Sequence, residues 1–182
     1  MKTKFFTGKG DKGESDLGGG KKVSKSSCNA EFLGCLDELN SWLGVCKTST
    51  DDESVKKHLK NIQESIFLIQ AETASIMAGT KPSKIIKEEK TKDLENIILE
   101  FDKDIPQIKN FIIPGGCKES ANLDFARTLA RKTERQSVKL SKETEVSPSV
   151  LSYLNRLSSV LFVLSRYENH NRGFQEENPT YN

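Results

Sequence analysis

Histidine is scarce: His58 and His170 are the only two among 182 residues. They are too few and too far apart in sequence for a zinc or haem site. The four cysteines, Cys28, Cys35, Cys46 and Cys117, contain no C-x-x-C pair. They read as small core residues of a reduced compartment rather than as a disulfide framework. A broad basic excess with interleaved aromatics, expected of a nucleic-acid binder, is missing: the net charge is +2 and aromatics make up 7%. No apolar run approaches the roughly 20 residues of a membrane span. Met1-Lys2-Thr3-Lys4 leads into glycine and charge instead of a signal-peptide apolar region, so a cytoplasmic protein is expected. With nucleic acid, membrane and metal-cluster classes set aside, the length fits one domain over 1–182.

Glycine is concentrated at the amino terminus. Residues 1–27 carry T-G-K-G-D-K-G-E-S-D-L-G-G-G-K-K-V-S-K. Gly8, Gly10 and Gly13 satisfy G-x-G-x-x-G, but no βαβ unit surrounds them, which rules out a dinucleotide fold. Gly13 and Gly18 have Walker A spacing, yet Gly19 and Gly20 follow where Lys-Ser/Thr is required. Glycines still let backbone N–H groups approach an anion, and Lys9, Lys12, Lys22 and Lys25 could surround one. A disordered basic tail is the competing reading of the same composition.

Helical periodicity fills the remainder. Phe32, Leu36, Leu39, Leu43 and Cys46 alternate four and three apart, predicting a helix over about 27–47. Asp51-Asp52 caps a second helix striped by Val55, Leu59, Ile62, Ile66, Ile69 and Ile76, closed by residues 79–83. A lysine-rich run through Lys92 reads as an exposed loop, followed by a third helix to about Asp104. A fourth follows the breaker Pro114-Gly115-Gly116, and a fifth spans about 147–169. Residues 173–182 read as a polar tail. The expected fold is an all-α, five-helix up-and-down bundle over 28–172, preceded by a glycine-rich loop over 1–27.

On the fourth helix Arg127, Arg131, Glu134 and Arg135 fall within roughly 100° of one another. Three guanidiniums on one face repel unless an anion joins them, and the planar guanidinium fork suits phosphate. A solvated face with i, i+4 pairing is the alternative. On the fifth helix Asn155, Ser159 and Arg166 form a narrow polar stripe in an otherwise apolar helix. That stripe faces either polar groups, a ligand, or solvent.

Three separated stretches share one resemblance. T-G-K-G-D-K-G with downstream G-G-K-K-V-S-K resembles the ATP loop of the corrinoid adenosyltransferases of the propanediol-utilisation (PduO) type. F-I-I-P-G-G followed by A-R-T-L-A-R-K-T-E-R is similar to that family's second signature, and L-N-R-L-S-S-V-L-F-V-L-S-R to its third. Asp37-Glu38-Leu39 is similar to a shorter fourth element. The match runs in order over nearly the whole chain.

The resemblance implies an enzyme that moves the 5′-deoxyadenosyl group of ATP to the cobalt of cob(I)alamin, releasing triphosphate. It implies a homotrimer with ATP and corrinoid bound between subunits. By motif, Thr7, Gly8, Lys9, Gly10, Ser15, Asp16 and Lys25 would wrap the nucleotide. Arg131, Lys132, Glu134 and Arg135 would complete that site, with Asn155 from the fifth helix. Phe111 matches the aromatic beneath the corrin, and Asp37 and Arg127 match a pair joining subunits. Mg²⁺ is expected through phosphate oxygens and water, with no protein ligand assigned. Glu134 reads either as a water-mediated contact to that ion or as a hold on an arginine. An adenosylcobalamin-dependent client enzyme and a flavoprotein reductase are the implied partners.

The sequence departs from the family pattern at four places. Lys9 stands where a second loop Thr is usual, Asp124 where His is usual, Ser159 where an acid is usual, and Lys132 where Arg is common. Two other readings compete: a phosphoryl-transfer enzyme, which lacks a Walker A or kinase signature, and a non-catalytic corrinoid-carrying or scaffolding bundle.

Overall fold

Five helices follow one short hairpin in the computed structural model, which describes residues 8, 10–16 and 21–181. Thr7 and Lys9 lie outside the described residues. Strands β1 (Glu14–Asp16) and β2 (Lys22–Ser24) pair antiparallel, with Ser15 opposite Val23. A glycine-rich loop without β alternation gave no sign of this pairing.

Helix α1 (Cys28–Ser49) starts on Ser27, whose hydroxyl accepts from the Ala30 N–H. Its apolar seam is fully used: Phe32, Leu36, Leu39 and Leu43 are each 0% exposed. Burial of such side chains contributes about 1.5–3 kcal/mol each. Helix α2 (Glu53–Met77) is capped by Asp52, whose carboxylate accepts from Ser54 and Val55. Both boundaries follow from the short polar side chains that satisfy the orphan amides of a first turn.

Helix α3 (Glu88–Asp102) begins earlier than the sequence suggests. Of the lysine-rich run through Lys92, residues 84–87 stay outside the helix, whereas 88–92 form its first turn rather than a loop. Lys92 reaches back to Glu88, and buried Thr91 contacts Ser152 across to the last helix. Glu88 and Glu89 at the positive end of the helix dipole favour this start. Helix α4 (Lys118–Leu140) is N-capped by Cys117, and helix α5 (Pro148–Asn171) by Ser147 with proline at its first position.

Packing is centred on α4 and α5. Helix α4 lies against both α1 and α5, α5 also against α3, and α1 against α2. Leu123, Ala126 and Ala130 of α4 meet the fully buried Leu154, Leu157 and Leu161 of α5 in one apolar core. Small alanines let the two helices approach closely, which fixes the position of whatever α4 carries on its outer face. Of the cysteines, Cys35, Cys46 and Cys117 are buried as expected; Cys28 is half-buried and its thiol donates to Glu143. No described helix is long and apolar enough to cross a membrane.

The carboxyl-terminal tail is not a loose appendage. After α5 it folds back over residues 106–113: Ile113 N–H donates to the Glu177 carbonyl at 2.8 Å and the Asn178 amide to the Phe111 carbonyl at 2.8 Å. Arg166, 5% exposed, meets the Glu176 carboxylate at 2.9 Å and donates to the Pro106 carbonyl at 2.8 Å. Arg166 therefore serves the tail. The stripe expected from Asn155 through Arg166 splits into two environments.

Candidate active-site cleft

Phe111 leaves the chain just before the Pro114-Gly115-Gly116 turn and stands 79% exposed. An aromatic ring of that area is costly to leave in water unless something covers it in use. It forms a wall between two clefts. One, of about 360 Å³, is lined by Ile108, Phe111, Ile112, Arg127, Arg131, Ser158, Ser159 and Phe162. The other, of about 650 Å³, is lined by residues 108–111 together with Asn178, Pro179 and Tyr181 from the returning tail.

The smaller cleft joins an apolar wall to two guanidiniums. Arg127 is only 25% exposed, stands 3.7 Å from Asp124 and lies 5.9 Å over the Phe162 ring. Its Nε–H is buried without a hydrogen-bond partner among the described residues. That Nε is the atom 3.7 Å from Asp124 Oδ1, an ion pair too long for a hydrogen bond, so the buried donor can still take a better-placed acceptor. Arg131, one turn further along α4, is exposed. No ion pair among the described residues engages Arg131 or Arg135, leaving two cationic forks on the outer face of α4.

Asp124 is buried and accepts from the Gly115 N–H at 2.9 Å and from Ser165. Burial pushes its carboxyl above the usual range, against the lowering pull of the Gly115 N–H and Arg127. It stands where the family pattern has His, and here it ties the glycine turn to α4.

Next on the helix, Glu134 accepts from the Asn155 amide of α5 at 2.7 Å. Of the two readings for Glu134, the chain itself supplies a third: its carboxylate is oriented by Asn155. Lys132 instead turns toward α1 and meets Glu38 at 2.7 Å, which raises its pKa. A shorter, flexible ammonium in place of guanidinium allows that diversion.

In the amino-terminal loop, Lys25 donates to the Gly10 carbonyl at 3.0 Å, and Lys22 pairs with Glu14 at 2.9 Å. Gly13 takes φ +81°, a left-handed conformation that glycine adopts freely. Gly8, Gly10, Ser15, Asp16 and Lys25 are thus gathered in one hairpin. Lys22 and Lys25 are thereby engaged within the hairpin itself. Asp37 is exposed on α1 and makes no ion pair with Arg127 among the described residues. The structure brings Phe111, Arg127 and Arg131 together, and Glu134 with Asn155.

Two contributors were not singled out from sequence. Phe162 lies seven residues after Asn155 and three after Ser159, on the same helical face, so the polar stripe itself pointed to it. The tail carried no periodic signal at all. Among the described residues no group of three His, Cys, Asp or Glu side chains could cage a metal ion.

Comparison with known proteins gives a consistent picture. The family model for cobalamin adenosyltransferase matches residues 5–168. A corrinoid adenosyltransferase PduO of Salmonella typhimurium is 38% identical over 90% of this chain and 49% of its own length. One of Citrobacter freundii is matched over 50% of its length, so the chain spans about half of these relatives. A corrinoid adenosyltransferase of Bacillus subtilis is 37% identical over 93% of this chain and 89% of its own. A phenylalanine-to-histidine variant of a PduO-type ATP:corrinoid adenosyltransferase from Lactobacillus reuteri, complexed with cobalamin and ATP, superposes with a TM-score of 0.90. It is 29% identical and covers 97% of both chains.

Proposed function

The chain belongs to the cobalamin adenosyltransferase family, and from that membership we propose that it transfers the 5′-deoxyadenosyl group of ATP to a reduced corrinoid. Cob(I)alamin is the acceptor and triphosphate the second product. The cobalt electron pair forms a bond to C5′ of ATP. The C5′–O bond breaks, and its electron pair leaves with the triphosphate. The corrinoid brings the nucleophile, so no activated Ser, Cys or His is required of the protein.

What the chain must supply is position and charge. Arg131 and Arg135 face the leaving polyphosphate, and Thr7, Gly8, Lys9, Gly10, Ser15, Asp16 and Lys25 of the amino-terminal loop wrap the nucleotide. Asn155 fixes Glu134 beside them, and Lys132 borders the site. Phe111 and Phe162 present an apolar face to the corrin. The observation that carries this reading is the 360 Å³ cleft in which Phe111, Arg127 and Arg131 share one wall-and-cation arrangement. An apolar plate next to guanidiniums suits a flat macrocycle beside a polyanion, and suits a scaffold poorly.

Mg²⁺ fits as an ion carried by the phosphates and water, with no carboxylate cage among the described residues. It would shield phosphate charge; Arg131, Arg135 and the hairpin amides do the remaining neutralisation.

A site completed across subunits is what the family resemblance implies, and within one chain Lys22 and Lys25 bond inside their own hairpin. A homotrimer, with Asp37 of one subunit pairing with Arg127 of the next, is the arrangement proposed. We place the protein in the cytoplasm, with a flavoprotein reductase and an adenosylcobalamin-dependent enzyme as partners. Mixing purified protein with ATP, Mg²⁺ and chemically reduced cobalamin tests the reaction. Conversion of the corrin spectrum to that of adenosylcobalamin is expected; binding of corrinoid without any ATP dependence would identify a carrier instead.

A further inference from the structure

Resting on the adenosyl-transfer reading, we infer that Asn169 is a positioning residue that sets where Phe111 stands, by clasping the Pro114-Gly115-Gly116 turn. Phe111 is exposed and lies in a stretch without helix or strand, so no packing of its own ring fixes it. Its place is set by the backbone on either side.

The tail holds the Phe111 carbonyl and the Ile113 N–H, and beyond them one carboxamide grips the turn at both ends of Gly116. Asn169 donates through Nδ2 to the Gly115 carbonyl at 2.8 Å and accepts at Oδ1 from the Cys117 N–H at 3.0 Å. It thereby grips the peptide groups on both sides of Gly116. The amide is only 5% exposed, so water cannot take over either bond. Gly116 is shaped to admit it. At φ +109° a Cβ there would collide with Asn169 Oδ1 and lie 2.8 Å from its Cγ. Asp124 and Ser120 add bonds to the Gly115 N–H and carbonyl at 2.9 and 3.2 Å. Asn169 itself lines neither cleft; it acts through the turn.

The test is a cycle with Phe111. Turnover and KM for corrinoid and for ATP are measured in Asn169→Ala, Phe111→Ala and the double variant. Asn169→Ala is expected to lower kcat/KM for corrinoid about tenfold, with the KM for ATP unchanged within about twofold. In the Phe111→Ala background the same change should cost less than about twofold, because two groups acting as one are non-additive. Gly116→Ala, which expels the amide, should reproduce the Asn169→Ala profile. An equal rise in the KM for ATP, or a full tenfold loss on top of Phe111→Ala, would overturn the assignment. If Asn169→Ala fails to fold, Asn169→Asp keeps the acceptor for Cys117, loses the donor to Gly115 and carries the same comparison.

Absence of adenosylation in the unsubstituted protein would remove the reaction assignment alone. The clasp is then judged by amide hydrogen exchange over 111–117. Exchange about tenfold faster in Asn169→Ala, with α4 and α5 unchanged, supports it; unchanged exchange contradicts it.

Discussion

Asn155 on α5 and Glu134 on α4 are joined by an amide-to-carboxylate hydrogen bond of 2.7 Å across the face that carries Arg131. The bond gives a carboxylate next to the arginine row a defined orientation, so that it neither wanders nor neutralises Arg131 outright. Replacing Asn155 with Ala should therefore raise the KM for ATP about five- to tenfold, the cost of one charge-assisted hydrogen bond. The KM for corrinoid should stay within about twofold. Steady-state kinetics with each substrate varied in turn provides the check.

Arg131 is exposed and makes no ion pair among the described residues, so its removal should cost little fold stability but leave the departing triphosphate short of a donor. Arg131→Ala is expected to lower kcat about 10²- to 10³-fold, the usual loss for a group that meets charge as it develops. Arg131→Lys should recover only part of it, because a point charge cannot make the forked contact. A loss of less than about threefold in the alanine variant would remove Arg131 from the site.

Phe111 separates two clefts and is 79% exposed. Phe111→Ala should shift the melting temperature by less than about 2 °C, as for a surface change. ATP binding should be intact and adenosylation markedly slower. Calorimetric titration with ATP and a spectrophotometric turnover assay distinguish this from a general defect.

Asp124 gives a pH signature. Its carboxyl is raised by burial, so the folded state binds a proton more readily than the unfolded chain in the window just above the ordinary value of 3.8. Stability contributed by this group therefore falls as pH rises through that window and stays lost at neutral pH. Asp124→Asn keeps an oxygen for the Gly115 N–H and has no such term. The melting-temperature difference, Asn variant minus native, is expected to be larger at pH 7 than at pH 4.5. A difference that grows on acidification would contradict the assignment.

Much of this was legible in the chain. The seam of α1, the Asp52 cap and the breaker before α4 were written in local residue types, and those elements formed where patterning put them. The start of α3 was misread because lysines suggested a loop, whereas Glu88 and Glu89 favoured a helix N-terminus and Thr91 packed inward. The fate of Arg166 could not be read, since its partner Glu176 lies beyond the last periodic residue. Asn169 was equally hidden: a lone amide at a helix end signals nothing until the turn it grips has been folded against it.

The central proposal is that the amino-terminal hairpin of one subunit and the arginine row of the next hold one triphosphate. Coexpression of two inactive chains tests it most directly. One carries Lys25→Glu in the hairpin and the other Arg131→Ala on α4. Mixed trimers are expected to regain a substantial share of adenosylation, because some sites then pair an intact hairpin with an intact arginine from the neighbouring chain. No recovery, in trimers shown by mass to contain both chains, would contradict a shared site.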